Sequence, residues 1–360
     1  MSRSGLRVLG VVAGLLLALA AGAGVATVLS GGDSGRVEGG SVPTGAQLPM
    51  SPERAAAQLF VVGFGGTRPS DPGVRRLADR PWGGVLLERA NARSAKQVEA
   101  LVAALREQAA DADAGAEPLI AIRQAGGEAS ALPGLPPAPQ AEQLGAREAA
   151  RAATEAAEAL RPLGIDLTLA PIADLAVTVG PAAIDGFSRD PARAARLVRA
   201  AVRAYRRAGL ASAPGSFPGQ GAASQDPRMG PATVGLDLSA LQREDLQPFV
   251  AAAPQAPAIQ MSAAVYAAWD GVTPASLAPE AYDLLRRGAR FGGVALTGDL
   301  NAVTAATGGT PAEAAVAALR AGADLLWVPG DADDQEAAYQ AVLDALRRDP
   351  ALQTRAAEAL

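Results

Sequence analysis

Leu160-Arg161-Pro162-Leu163-Gly164-Ile165-Asp166-Leu167-Thr168-Leu169-Ala170-Pro171 holds a helix end, a stop and a strand in one line. Upstream, residues Gln140–Leu160 form an alanine-rich amphipathic stretch. Gly164 is the residue type that ends a helix in the left-handed region. Ile165–Leu169 is an apolar run of strand length. The same unit recurs in both directions. Further strands are predicted at Gly84–Leu87, Leu119–Ile122, Ala211–Ala213, Ala258–Met261, Gly293–Thr297 and Asp324–Val328. Helices are predicted at Ser94–Gln108, Pro191–Ala208, Ala240–Ala252 and Pro311–Ala321. Asp190-Pro191 and Thr310-Pro311 put a capping side chain before a first-turn proline, and Gly209 and Gly322 supply stops. This alternation predicts a parallel α/β fold, a (β/α)8 TIM-type barrel in one domain over residues 51–360, with a doubly wound sheet as the alternative. In a barrel, chemistry sits at the carboxyl ends of the strands. The segments to read are therefore Arg123–Ser130, Pro171–Asp174, Pro214–Met229, Ser262–Tyr266 and Thr297–Leu300.

Two residue types are missing from the 360-residue chain: it has no cysteine and no histidine. That excludes disulfides, thiol nucleophiles, Ser–His pairs and His-ligated metals. A hydrolase working with Asp, Glu or Lys alone passes this filter. No cofactor or metal is expected. A net charge of −5 argues against nucleic acid as a partner, and an aromatic content of 4% leaves few platforms for stacking.

The N-terminus predicts export. Arg3 and Arg7 precede Val8–Leu29, a run without a charge. As a helix it measures about 33 Å, enough to cross a hydrocarbon core, with the arginines held in the cytoplasm. Residues 1–29 read either as an uncleaved anchor or as a signal cut near Ala21-Gly22-Ala23. Residues 30–50, rich in Gly, Ser and Pro, read as a flexible linker.

The segments along residues 52 to 330 resemble glycoside hydrolase family 3, in its single-domain β-N-acetylhexosaminidase branch. The likeness runs in order through Gly83-Gly84-Val85-Leu86-Leu87 with Asn91, and Ile120-Ala121-Ile122-Arg123-Gln124-Ala125-Gly126-Gly127. It continues in Leu163–Pro171 with Asp174, Phe187-Ser188-Arg189-Asp190-Pro191, and Phe217-Pro218-Gly219-Gln220-Gly221. Thr273-Pro274-Ala275-Ser276-Leu277, Phe291–Thr297 and Ala321-Gly322-Ala323-Asp324-Leu325-Leu326 complete it. The resemblance implies a TIM-type barrel and hydrolysis of glycosidic bonds.

The departures fall on the residues that handle the sugar. The family's Thr/Ser-Asp-x-Leu, whose Asp is the nucleophile, reads Thr297-Gly298-Asp299-Leu300 here. Its Lys-His-Phe-Pro-Gly-His-Gly reads Gly215-Ser216-Phe217-Pro218-Gly219-Gln220-Gly221, and its acid–base Asp-Ser-His reads Asp226-Pro227-Arg228. Asp-Gln-Glu-Gly-Gly-Arg becomes Arg123-Gln124-Ala125-Gly126-Gly127-Glu128, an Arg becomes Asp185, and a Ser-His pair becomes Ser262-Ala263.

Retaining hydrolysis needs two carboxyl groups roughly 5–5.5 Å apart, and inversion needs roughly 6.5–9.5 Å. Gly298 offers none. Asp299 is adjacent, yet neighbouring side chains on a strand point to opposite faces, so it is expected to aim away from the sugar unless glycine turns the backbone. Arg228 stays protonated and cannot act as the acid. Asp226 can, if burial raises its pKa.

Each remaining residue carries two readings. Asp174 braces a strand end or meets a sugar hydroxyl. Asp299 caps the following turn or serves in catalysis with Asp226. Arg123 and Glu128 form a new ion pair or sit solvated at the rim. Trp82, Trp269 and Trp327 pack in the core or rim, with Trp269 the candidate sugar platform. The candidate substrate-binding set is Arg123, Glu128, Asp174, Arg228 and Trp269. Together these predict an exported barrel, membrane-anchored or secreted, that has lost the catalytic set. It would bind a cell-wall glycan fragment or an envelope protein. The alternatives are a β-N-acetylhexosaminidase-like hydrolase with relocated carboxylates, and a relic whose pocket Arg123 and Arg228 close.

Overall fold

The computed structural model of the chain describes residues 47–111, 117–176, 184–227 and 229–360. The expected anchor or signal at 1–29, most of the linker at 30–50, and Arg228 lie outside the described residues. Among those described, no helix is long and apolar enough to cross a membrane.

Ten strands are described: β1 Phe60–Val62, β2 Gly84–Leu87, β3 Leu119–Ile122, β4 Leu167–Thr168, β5 Ala211–Ser212, β6 Thr233–Val234, β7 Ala258–Gln260, β8 Val265–Tyr266, β9 Val294–Leu296 and β10 Leu326–Val328. Strands β10-β1-β2-β3-β4-β5 form one parallel sheet, and β7 pairs in parallel with β9. Backbone bonds join these pieces into a ring. Gln260 N donates to Pro214 O (3.0 Å) between β7 and the end of β5, and Thr297 N donates to Leu325 O (2.9 Å) between β9 and β10. The result is an α/β barrel of the TIM type, in place of the doubly wound alternative. Strands β6 and β8 form a separate ribbon beside the ring.

Strand periodicity explains why these runs are apolar on both faces. Val61, Leu86, Ala121, Leu167, Ala258, Leu296 and Trp327 alternate inward and fill the barrel lumen. Their neighbours Phe60, Val62, Val85, Ile120 and Ile122 pack outward under the helices. The helix starts use the chemistry foreseen. Asp190 accepts Arg193 N (2.6 Å) ahead of Pro191–Arg207, and Thr310 forms a capping box with Glu313 ahead of Pro311–Ala321. Gly164 closes its helix at φ +81°.

Two helix expectations change. The expected helix Gln140–Leu160 begins at Ala146, after a 3-10 turn at Gln140–Glu142. The expected helix Ala240–Ala252 is two helices, Leu238–Arg243 and Gln247–Ala252, because Pro248 removes a backbone donor. The break turns Asp245 inward, where it is only 2% exposed.

Candidate functional site

A cleft of about 470 Å³ opens at the carboxyl ends of the strands. Its wall takes Arg123 from the end of β3, Asp174 from the loop after β4, Ser216 and Gln220 from the loop after β5, Asp299 from the end of β9 and Trp327 from β10.

The end of β9 forms part of the floor. Thr297 is buried, and its Oγ1 accepts Trp327 N (2.8 Å), binding β9 to β10. Gly298 N donates to Ser276 Oγ (2.9 Å), Ser276 Oγ donates to Ser262 O (2.9 Å), and Ser262 Oγ donates to Gln220 Oε1 (3.1 Å). This relay of hydroxyls and an amide ties three loops together under the cleft. A Cβ on Gly298 would stand 3.0 Å from Met261 O and 3.2 Å from both Ala263 N and Ser276 Oγ. Contacts that short to backbone atoms leave little room for a side chain.

Asp299 heads the helix Leu300–Thr307. Its Oδ1 accepts Asn301 N (2.8 Å) and Ala302 N (3.2 Å). The capping reading is therefore present in the structure. Asp299 is among the residues lining the cleft, with its Oδ1 turned to the helix amides. Strand alternation does not apply there, because β9 ends at Leu296 and the chain is already turning into the helix. Burial pushes the Asp299 carboxyl up, while the two amides and the Arg123 charge pull it down.

Arg123 turns to Glu88 in place of Glu128, while Glu128 takes the rim position that was the other expectation. The Arg123 guanidinium lies 3.8 Å from Glu88 and sits over the Trp327 ring at 5.2 Å from its centroid. Glu128 is answered by Arg89 at 3.4 Å, and its side chain is 99% exposed, so this is a rim contact worth little. Asp185 is also at the cleft edge, where it accepts Ala141 N (3.2 Å).

Asp174 is buried, and both its oxygens are engaged. Oδ2 accepts Ser216 N (3.0 Å) and Oδ1 accepts Gln220 N (2.9 Å). Burial, together with the nearby Asp245 and Asp226 charges, pushes its carboxyl up to about 7 against the pull of the two amides. Its bracing role is to the β5 loop rather than to its own strand end. Asp226 lines the same cleft as Asp299. Trp269 does not line it. Its ring packs on Tyr266 (centroids 4.8 Å apart), and Nε1 donates to Thr273 O (3.1 Å), closing its own loop. The aromatic in the cleft is Trp327, while Trp82 packs edge-on between Phe60 and Tyr339 in the core. Sequence reasoning did not single out Ser276 or Asp245. The signal for Asp245 was the Asp245–Pro248 interruption of an otherwise helical pattern. Among the described residues, no group of three or more Asp and Glu is placed to hold a metal ion.

Residues 53–357 match the family pattern described as the glycosyl hydrolase family 3 N-terminal domain. The chain belongs to that family. A family 3 barrel is also what the solved structures show. The chain superposes on a glycoside hydrolase family 3 β-N-acetylglucosaminidase from Paenibacillus sp. with a TM-score of 0.77 and 29% identity, covering 85% of this chain and 61% of that one. For a β-N-acetylhexosaminidase from Beutenbergia cavernae the TM-score is 0.73 with 27% identity, covering 86% of this chain and 96% of that one. In sequence it is 33% identical over 184 residues to a β-hexosaminidase of Pseudomonas aeruginosa, covering 50% of this chain and 54% of that protein. A β-hexosaminidase of Xanthomonas oryzae pv. oryzae is 34% identical over 171 residues, covering 47% and 51%. The chain thus spans about half the length of the curated relatives it matches.

Proposed function

We propose that this family 3 chain is an exported protein that binds a glycan in the barrel cleft without hydrolysing it. The carrying observation is the space at Gly298, where the resemblance puts the family's nucleophile. Met261 O and Ala263 N stand 3.0 and 3.2 Å from where its Cβ would be, which supports a site fitted to glycine. Asp299, next along the chain, holds two helix amides with one oxygen. A retaining reaction lacks its nucleophile in this arrangement. The cleft remains large enough for a small ligand, and Arg123, Gln220 and Trp327 supply polar and aromatic contacts. The relatives named β-hexosaminidase and β-N-acetylglucosaminidase direct the choice of ligand to glycans containing N-acetylglucosamine. Export rests on Arg3, Arg7 and the uncharged run Val8–Leu29, which put the barrel at the cell envelope, anchored or secreted.

A second reading has a specific observation in its favour. Asp226 and Asp299 line the same cleft, which is the starting requirement for a β-N-acetylhexosaminidase-like hydrolase with relocated carboxylates. Calorimetric titration with muropeptide fragments separates the readings. The binding reading expects saturable heat, weakened by Arg123→Ala, with the fragment recovered intact. Recovery of cleaved fragment supports the hydrolase instead, and no heat at millimolar fragment removes the glycan from the account.

A further inference from the structure

The helix Pro191–Arg207 carries six arginines and no acid, in a chain whose net charge is −5. Arg196, Arg199, Arg203, Arg206 and Arg207 are exposed, and their spacing places them within about 100° of arc on one face. The other face, with Leu197, Val198, Ala201 and Tyr205, is buried against the barrel. Elsewhere on the surface arginines are answered by acids: Arg80 by Glu336, Arg287 by Asp283, Arg347 by Glu53 and Arg348 by Asp344. Among the described residues none of the five stripe arginines pairs with a carboxylate, and Arg206 donates to the neutral Gln255 Oε1 (3.3 Å). The helix Gln247–Ala252, packed on one flank, has no charge. Ala146–Leu160, on the other, carries both signs, with Arg151 3.8 Å from Glu155.

We propose that this arginine stripe docks the barrel on the anionic phospholipid headgroups of a membrane, which rests on the reading that residues 1–29 anchor the chain there. The chemistry is charge complementarity. Guanidinium groups meet phosphate through paired donors, and clusters of basic residues are drawn to anionic lipid. The apolar face of the helix is already spent on the barrel, so the stripe lies on the headgroups without inserting, and salt screens the contact. Only residues 30–46 separate Leu29 from the first described residue, and fully extended they span at most about 60 Å. An anchored chain therefore holds the stripe at high effective concentration beside the lipid, where a weak contact suffices. The helix precedes β5, whereas Ala332–Arg348 follows β10 on the opposite side of the ring. Docking thus fixes which side of the barrel meets the membrane, and the cleft opens along the membrane plane.

The chain has no cysteine, so Ala192→Cys, on the exposed face ahead of Arg196, takes a single fluorescent label, and Ala337→Cys labels the opposite side. The full chain is mixed with phosphatidylcholine vesicles, with or without phosphatidylglycerol, and energy transfer to a fluorescent lipid is read. Transfer is expected from the label at 192 and not at 337, only with phosphatidylglycerol, and to vanish at about 1 M salt. Arg196→Gln, Arg199→Gln and Arg203→Gln together should weaken docking about a hundredfold, at about fivefold per arginine. Gln matches Arg in helix propensity, so the fold is kept. Flotation with phosphatidylcholine vesicles alone reads the anchor independently of the stripe. If the chain does not float there, the anchor reading fails. The stripe is then read by salt-sensitive flotation with phosphatidylglycerol vesicles, which the triple variant should abolish. Equal transfer from both labels, no response to phosphatidylglycerol, or docking that the triple variant keeps overturns the proposal. A label that responds to soluble polyphosphate and not to anionic vesicles assigns the stripe to a polyanion and overturns it too.

Discussion

The carbonyl oxygen of Met261 stands 3.0 Å from the point where a side chain on Gly298 would begin. Glycine at this position is matched by its surroundings, with Ser276 Oγ accepting its amide and Ala263 N closing the other side. A side chain added here needs Met261, Ala263 or Ser276 to give by a few tenths of an ångström. Gly298→Ala is thus expected to destabilise the fold by about 1–3 kcal/mol through overpacking. Urea unfolding should show a lower midpoint with an unchanged slope.

Asp299 is expected to behave as a helix cap. Asp299→Ala should lower stability by about 1 kcal/mol, because two amides of the helix Leu300–Thr307 lose their acceptor. Asp299→Asn keeps an acceptor oxygen and should unfold within a few tenths of a kcal/mol of the wild type. Equilibrium unfolding of both variants checks this.

The buried acids give stability a pH dependence opposite to that of ordinary surface carboxylates. Asp174 and Asp245 have folded values of about 7 and about 6, above the roughly 3.9 of an unfolded aspartate. The folded state binds their protons more tightly, so their contribution is greatest near pH 4 and is lost as pH rises to about 7. Capping and paired acids such as Glu313 and Glu336 are held below the usual range, and they lose their contribution only as pH falls through it. Thermal melts should therefore peak on the acid side of neutrality, and Asp174→Asn should flatten the decline between pH 5 and 7.

The two tryptophans near the site are expected to separate. Trp327→Leu removes the aromatic ring beneath Arg123 while keeping an apolar side chain, and should weaken glycan binding in calorimetry. Trp269→Ala should leave affinity unchanged, since its ring is occupied by Tyr266 and its Nε1 by Thr273 O.

How much of this was legible in the sequence follows from the range of the forces involved. Strands β2 and β3 lie at their predicted residues, because each is a short apolar run with both faces buried and local turn chemistry at its ends. The helix Pro191–Arg207 follows from its cap, its proline and Gly209 for the same local reason. Strand β1 and the helix Leu300–Thr307 escaped notice. Phe60–Val62 is three residues long and is fixed by its partners β10 and β2, and the short helix depends on Asp299 turning at the strand end. Within the site, the resemblance located the cleft residues. It could not give the partners of Arg123 and Glu128, which are chosen by Glu88 and Arg89 from a neighbouring strand end. Nor did it give Asp174 its loop, because Ser216 and Gln220 come from more than forty residues further along the chain.

Binding without hydrolysis is tested most directly by incubating the full chain with a chromogenic N-acetyl-β-glucosaminide and following release of the chromophore. The account predicts release no faster than in buffer. Release that the wild type catalyses and Asp299→Asn abolishes would contradict it, and would make Asp299 a catalytic residue.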